Sequence, residues 1–280
     1  MIGDKKIGFI GAGAMAEAII SGIISAGVIK SDQIFITNRK NQERLDQICR
    51  TYGIPEENKN AHHVRQADIV IIAVKPKDID LVLQIWGAHF FAEQLVISVA
   101  AGIPVTYFEK KIDRVAFIRA MPNTASHVRL SATAICGGTL ANSRDLDLAH
   151  RIFCAIGKVL VVKEELMDAV TGLSGSGPAY FFYMIESLEQ AGIEAGLSRD
   201  IAKELILQTF MGAAQMLYMS QKEASQLRQE VTSPGGTTMA GLEMLNRYDM
   251  KEAMIQAVLH ATNRSKEIEK LYASECKTEE

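Results

Sequence analysis

Near the N-terminus a short apolar run, Lys6 to Ile10, passes directly into Gly11-Ala12-Gly13-Ala14-Met15-Ala16 and then into a helix-period pattern. Strand, glycine turn and helix in immediate succession open a βαβ unit, and the spacing G-x-G-x-x-A is the dinucleotide-binding fingerprint in the context that gives it meaning. Gly11 and Gly13 carry no side chains, so the backbone can turn sharply and approach a pyrophosphate. Free N–H groups and the positive end of the helix dipole meet its charge. Ile10, Gly11, Ala12, Gly13, Ala14 and Met15 are therefore expected to cradle the phosphates of a dinucleotide.

The alternation continues downstream. Strands are predicted at Lys6 to Ile10, Gln33 to Thr37, Ile69 to Val74, Leu95 to Val99, Val115 to Ala120, Ser131 to Cys136 and Val159 to Val162. Helices are predicted between them at Ala14 to Ala26, Asn41 to Thr51, Ile79 to Phe91 and Arg144 to Ile156, a doubly wound layout on a mainly parallel sheet. From about Glu164 onward the pattern is helix and turn alone. With 280 residues, 48% of them hydrophobic, the chain can bury the cores of two medium domains. The expected fold is α/β: a doubly wound domain over 1–163, then an all-α dimerisation domain over 164–280. Ala179 to Ala195, with Tyr180, Phe181, Phe182, Met184, Ile185 and Leu188, is apolar round most of its circumference, and Ile201 to Met219 is similar. A surface helix should show one apolar stripe, so these helices are either buried inside their own domain or packed against a second copy. A domain of this size has limited material to cover them, so the second copy is the preferred expectation. The tail from Ser274 to Glu280 is polar and expected to fray.

The end of the second strand selects the nucleotide. Sites for NAD place an acid there to accept from the ribose 2′-hydroxyl; this chain has Thr37-Asn38-Arg39-Lys40. An amide and two cations favour a 2′-phosphate, so NADPH is expected, with NADH accepted more weakly. Three more motifs fall at strand ends, where ligands of such sheets bind: Ala73-Val74-Lys75-Pro76, Ala100-Ala101-Gly102 and Met121-Pro122-Asn123-Thr124. Their small and amide-bearing residues suit the ribose and nicotinamide.

A formal charge of −3 gives no basic field for nucleic acid or anionic membrane, which leaves a small molecule as the expected partner. Cys49, Cys136, Cys154 and Cys276 have no paired or metal-ligand spacing and read as reduced thiols of a cytoplasmic protein, with no metal expected. The opening apolar run is too short for a signal peptide, and no run of about 18 apolar residues marks a membrane span.

Two glycine-rich segments interrupt the helical half: Leu173 to Tyr180 (LSGSGPAY) and Val231 to Thr238 (VTSPGGTT). The first suits helix capping, with Ser176 as N-cap and Pro178 near the first helical position. The second combines two glycines with Thr232, Ser233, Thr237 and Thr238 at a helix start, a natural receptor for a small carboxylate. At this point the chain resembles the pyrroline-5-carboxylate reductases. The resemblance runs through GFIGAGAMA, AVKP at Ala73, MPNT at Met121, DAVTGLSGSGPAY from Asp168 and VTSPGGTT from Val231. It implies a Rossmann domain followed by an interlocking helical dimer, often gathered into rings such as decamers. It also implies reduction of Δ1-pyrroline-5-carboxylate to L-proline, the last step of proline biosynthesis. Carried over, it puts the 2′-phosphate near Asn38, Arg39 and Lys40 and an adenosine contact at Asn60. Ala73, Val74, Lys75 and Pro76 would lie with Ala101 along the ribose, and Met121 and Asn123 towards the nicotinamide. Substrate contacts would fall at Ser233, Gly236, Thr237 and Thr238, with Glu164 a further candidate. Where the family commonly continues MPNT with proline, this chain has Ala125-Ser126.

No His or Lys stands out as an acid for the imine nitrogen, which can arrive already protonated; Thr238 is the candidate catalytic residue, through a hydrogen bond to that nitrogen. Two competing readings remain. The β-hydroxyacid dehydrogenases follow the same glycine-rich helix start with a catalytic lysine and an asparagine, where Phe181 and Met184 stand here, and an aromatic ring cannot act as a base. A non-catalytic NADPH sensor would not need the Val231 to Thr238 loop.

Overall fold

The structure, a computed structural model, describes residues 2–275. Seven strands form one sheet: β1 (Ile7–Ile10), β2 (Ile34–Thr37), β3 (Ile69–Ile72), β4 (Leu95–Ser98), β5 (Ala116–Met121), β6 (Ser131–Gly137) and β7 (Gly157–Val161), in the order 2-1-3-4-5-6-7. The first five pair in parallel, β6 runs antiparallel to β5, and β7 is parallel to β6. Every residue of β1, β3 and β4 is buried, as in strands covered on both faces.

Side chains alternate between two apolar layers. Phe9 and Ile71 point into the layer closed by α1 (Ala14–Ser25), α2 (Gln42–Tyr52) and α6 (Ser143–Cys154), through Ile19, Ile48 and Ile152. Val70 and Phe117 point into the other, closed by α3 (Ala61–Arg65), α4 (Ile79–Trp86) and α5 (Val105–Lys111), through Val64, Val82 and Phe108. The expected doubly wound layout is present, with strand ends displaced by a residue or two. Periodicity predicts neither α3 nor α5, since both are about two turns or less and too short for it to register. The helix expected over Ile79 to Phe91 stops at Trp86, where Gly87 leads into a 3₁₀ turn.

The helical half contains α7 (Met167–Val170), α8 (Gly177–Glu194), α9 (Arg199–Ser220), α10 (Ala224–Glu230), α11 (Thr237–Arg247) and α12 (Met250–Glu275). Between α7 and α8, where the segment Leu173 to Tyr180 is expected to cap a helix, the chain instead forms a π-helical turn over Thr171–Gly175. Ser176 has right-handed helical backbone and donates its N–H to Thr171 O, so it is not an N-cap. The Thr171 and Ser174 hydroxyls bond back to the carbonyls of Met167 and Val170, and this local competition for carbonyls accompanies the widened turn. Gly175 lies against Met121: a Cβ there would stand 2.5 Å from Met121 Cε, so the methionine end would have to move aside.

Contacts divide the chain into two compact units, one ending at Ser176 but rejoined by the chain from Leu259, the other spanning Gly177–Val258. In the second, α8 and α9 form an antiparallel hairpin, with Phe181 edge-on to Phe210 at one end and Gly192 against Ala202 at the other. Beyond that contact the helices are bare. Phe182 is 65% exposed and Tyr183 72%, and Leu205, Met211 and Met219 are also exposed. Burial within their own domain, the other explanation for such apolar helices, is therefore excluded. The structure continues α12 through Ser274 and Glu275, so the tail expected to fray begins as helix; Cys276 and the rest of that tail lie outside the described residues. No described helix is long and apolar enough to cross a membrane.

Candidate cofactor and substrate sites

Strand order reverses at β1, which lies between β2 and β3, and the crevice beyond their carboxyl ends is where ligands of such sheets bind. Gly11 and Gly13 serve that crevice differently. Gly11 has φ +110°, and a Cβ on it would stand 2.5 Å from Ala73 O. Gly13 has φ −79° as the N-cap of α1, and nothing lies within 4 Å of its Cβ position. The first glycine is needed by the fold; the second leaves open space before a helix N-terminus that no side chain caps. Glu17, the acid of that first turn, is paired with Arg44.

The crevice holds a cleft of about 250 Å³. That is below the roughly 300–1,000 Å³ of pockets that enclose whole ligands, so it suits one end of a dinucleotide. Ile10, Gly11, Thr37 and Val74 line its base, and Asn38, Arg39 and Lys40 its polar side. Leu81, Val82, Ile85 and Trp86, all from α4, give it an apolar wall that the sequence reading missed. Asn38 donates to Asn41 O, holding the turn into α2, while Arg39 and Lys40 are exposed. Asn60 is not among the lining residues; it caps α3, its Oδ1 accepting from His62 N–H.

The other strand-end loops are tied down locally. Ala73 N–H donates to Ile10 O, and Lys75 is exposed ahead of the 3₁₀ turn that begins at Pro76. Ala101 is half-buried beside Gly102, whose φ is +72°. After Met121, Asn123 donates from Nδ2 to Ser174 O and accepts at Oδ1 from Ala125 N–H. A proline at 125 would have no such hydrogen. This chain stiffens the loop by that bond and by Ser126, which is buried and donates its hydroxyl to Asn123 O.

Beneath these loops lies a charged group that the sequence reading did not single out. Arg119 of β5 is 2% exposed and faces Glu164, Asp168 and Glu269 at 3.4, 3.8 and 3.6 Å. Its sequence signal is an arginine inside an otherwise apolar strand. Glu164 also accepts from Val105 N–H at 2.6 Å, which commits one carboxylate oxygen to internal bonds. Burial, reinforced by the negative charge of Asp168, raises the Glu269 carboxyl above its ordinary range. Burial also pushes the neighbouring Cys136 thiol up to about 12, which leaves it neutral and unsuited to nucleophilic work. Asp168 accepts from the Ser265 hydroxyl at 2.6 Å, so α12 closes over the cluster.

In the second unit, the Val231 to Thr238 segment forms the expected helix start. Gly235 has φ +71°, and Gly236 is the N-cap of α11 with no side-chain cap bond. Gly236 N–H donates to Ser233 O, which closes the turn. Thr237 and Thr238 begin the helix and are exposed with Ser233, so their hydroxyls and the first-turn N–H groups face outward together.

Comparison with known proteins agrees with both halves. Residues 164–268 match the family described as pyrroline-5-carboxylate reductase dimerisation, and residues 6–102 match that described as NADP oxidoreductase, coenzyme F420-dependent. Pyrroline-5-carboxylate reductase 2 of Bacillus subtilis is 44% identical, covering 96% of this chain and 97% of its own. A solved pyrroline-5-carboxylate reductase from Coxiella burnetii superposes with a TM-score of 0.86 at 37% identity, covering 95% of this chain and 99% of that one. The Plasmodium falciparum enzyme, solved with NADP bound, gives 0.83 at 31% identity, with coverage of 94% and 98%. The chain belongs to the pyrroline-5-carboxylate reductases.

Proposed function

We infer that this protein reduces Δ1-pyrroline-5-carboxylate to L-proline with a nicotinamide cofactor, the last step of proline biosynthesis. The observation that carries the choice of substrate is the uncapped, hydroxyl-bearing start of α11 behind Gly235-Gly236. Its first-turn N–H groups bind the substrate carboxylate, assisted by the Ser233 and Thr237 hydroxyls, while Gly236, whose N–H is spent on Ser233 O, leaves the approach free of a side chain. Glu164 is retained only as an indirect contributor, given its internal bonds.

The turn fits a dinucleotide on geometry alone, since the space before Gly13 is what a phosphate needs and a Cβ would intrude on it. Ile10 to Met15 receive the phosphates, Arg39 and Lys40 the 2′-phosphate, and the α4 wall the adenine face. Ala73 to Pro76, Ala101, Met121 and Asn123 border the ribose and nicotinamide, with Asn60 at the edge of the adenosine side. NADPH is preferred over NADH because β2 ends without an acid. The bound nicotinamide supplies the hydride to the imine carbon. The Thr238 hydroxyl hydrogen-bonds the ring nitrogen, fixing the face presented and holding the nitrogen's proton in place.

The exposed faces of α8 and α9 support a homodimer through the helical half, as the precondition for a ring such as a decamer. A cytoplasmic location is supported by the free thiols of Cys49, Cys136 and Cys154. The test is purified protein with NADPH and pyrroline-5-carboxylate, followed by loss of nicotinamide absorbance. Steady oxidation with proline as product is expected; none between about pH 5 and 9 would overturn the assignment.

A further inference from the structure

The last turns of α12 present one stripe to the sheet domain. Ser265, Ile268, Glu269 and Tyr272 recur at i, i+3, i+4 and i+7, the spacing of a single helix face, and all four are buried or half-buried while Lys266, Glu267 and Lys270 are exposed. Each touches a different part of the same compact unit. Ser265 holds Asp168 and Glu269 faces Arg119. Ile268 lies over Gly102, so close that a Cβ on that glycine would stand 2.8 Å from Ile268 Cγ2. The Tyr272 hydroxyl donates to Pro76 O at 3.1 Å while its ring meets that of Tyr107 edge-on at 5.1 Å. Tyr107 in turn donates to Asp80, in the first turn of α4 behind the apolar wall of the cleft.

Gly102 and Pro76 belong to the two loops that follow β4 and β3. These are the loops assigned above to the ribose, and this inference rests on that reading. We propose that Tyr272 is a positioning residue for the cofactor: its hydroxyl bond to Pro76 O, backed by Ile268 over Gly102, sets the height of the Lys75-Pro76 loop against the bound dinucleotide. Its place in the chain, 196 residues beyond Pro76, puts it outside any local motif. Pro76 O also accepts from Ile79 N–H within its own 3₁₀ turn, so the Tyr272 hydroxyl is a second donor on that carbonyl, and the one that ties the turn to α12.

Tyr272→Phe removes the hydroxyl and keeps the ring against Tyr107. Ser265→Ala is the control, on the same helix face but bonded to Asp168 rather than to a ribose loop. Dissociation constants for NADPH are read from the quenching of Trp86, the single tryptophan of the chain, which lines the cleft. Tm and the KM for pyrroline-5-carboxylate are measured alongside. For Tyr272→Phe the expected result is a Kd for NADPH raised about 3- to 10-fold, the loss of one part-buried hydrogen bond, with substrate KM unchanged. Ser265→Ala should lower Tm and leave that Kd as it was. An unchanged Kd in Tyr272→Phe, or equal weakening in both variants, overturns the positioning role while leaving the cofactor assignment intact. A wild-type chain that binds neither NADPH nor NADH overturns the assignment and this role together.

Discussion

Substituting alanine separately at the two glycines of the first turn should separate folding from binding. At Gly11, alanine puts a methyl group 2.5 Å from Ala73 O on a backbone with φ +110°. Ala73 cannot retreat freely, because its N–H is held by Ile10 O at 2.9 Å. Strain at such a φ costs on the order of 1–3 kcal/mol and overpacking a further 1–3 kcal/mol, so Gly11→Ala should lose about 2–6 kcal/mol of stability. For a chain of this size that lowers Tm by roughly 4–12 °C. At Gly13, φ is ordinary and the Cβ position is empty. The cost of alanine at an N-cap, about 0.5–1 kcal/mol, is offset by the reduced freedom of the unfolded chain, about 0.4–1 kcal/mol. Gly13→Ala should therefore melt within about 1 °C of wild type, yet bind NADPH at least about tenfold more weakly, because its methyl occupies the phosphate's space. Differential scanning calorimetry and Trp86 quenching measure the two quantities on the same samples. If Gly13→Ala bound NADPH as wild type does, the phosphates would not lie against this turn and the geometric reasoning would fail.

Replacing Arg39 by Ala should cost NADPH affinity about 10-fold or more and leave NADH nearly unaffected, as judged by the ratio of the two dissociation constants; a parallel loss of both would remove the 2′-phosphate role. Thr238→Ala should lower kcat/KM for pyrroline-5-carboxylate by roughly 10- to 1,000-fold with the Kd for NADPH unchanged, and unchanged kinetics would exclude the hydroxyl from the reaction. Because the Glu269 carboxyl is raised in the folded state by burial and by Asp168, ionising it opposes folding. Its stabilising contribution is complete below the ordinary carboxylate range and is lost as pH rises through the elevated value. Glu269→Gln, which stays neutral, should therefore gain Tm relative to wild type between about pH 5 and 8, whereas a lower Tm at pH 8 would show that the Arg119 contact dominates.

Local chemistry carried most of what could be read from the chain. The glycine turn, the strands that alternate between two apolar layers, and the glycine pair before Thr237 all announce themselves within about ten residues, and the structure places them accordingly. What escaped notice depends on distance. Arg119 looks like one cation in an apolar strand until Glu164, Asp168 and Glu269 are brought around it. The α4 wall was visible as an amphipathic helix, but its periodicity does not say that part of it borders a nucleotide cleft. Ser176 fits an N-cap pattern, yet the hydroxyls of Thr171 and Ser174 favour a continuous π-turn. The buried stripe of α12 is flanked by lysines and glutamates that make the segment read as solvated, and its partners lie 97 and 196 residues away.

That last helix also sets a timetable for synthesis. The sheet unit is not finished when its own strands have left the ribosome, since Ile268, which covers Gly102, and Glu269, the third carboxylate facing Arg119, are made roughly 100 residues after β7. At roughly 5–20 residues per second, the interval between Ser176 and Tyr272 is on the order of 5–20 s. Throughout it the nascent sheet domain has Glu164 and Asp168 for Arg119 but lacks Glu269, and Pro76 O lacks its bond from Tyr272. All of α8 to α11 must be made before Tyr272 can reach Pro76 O, so one compact unit is completed only after the residues of the other have been added.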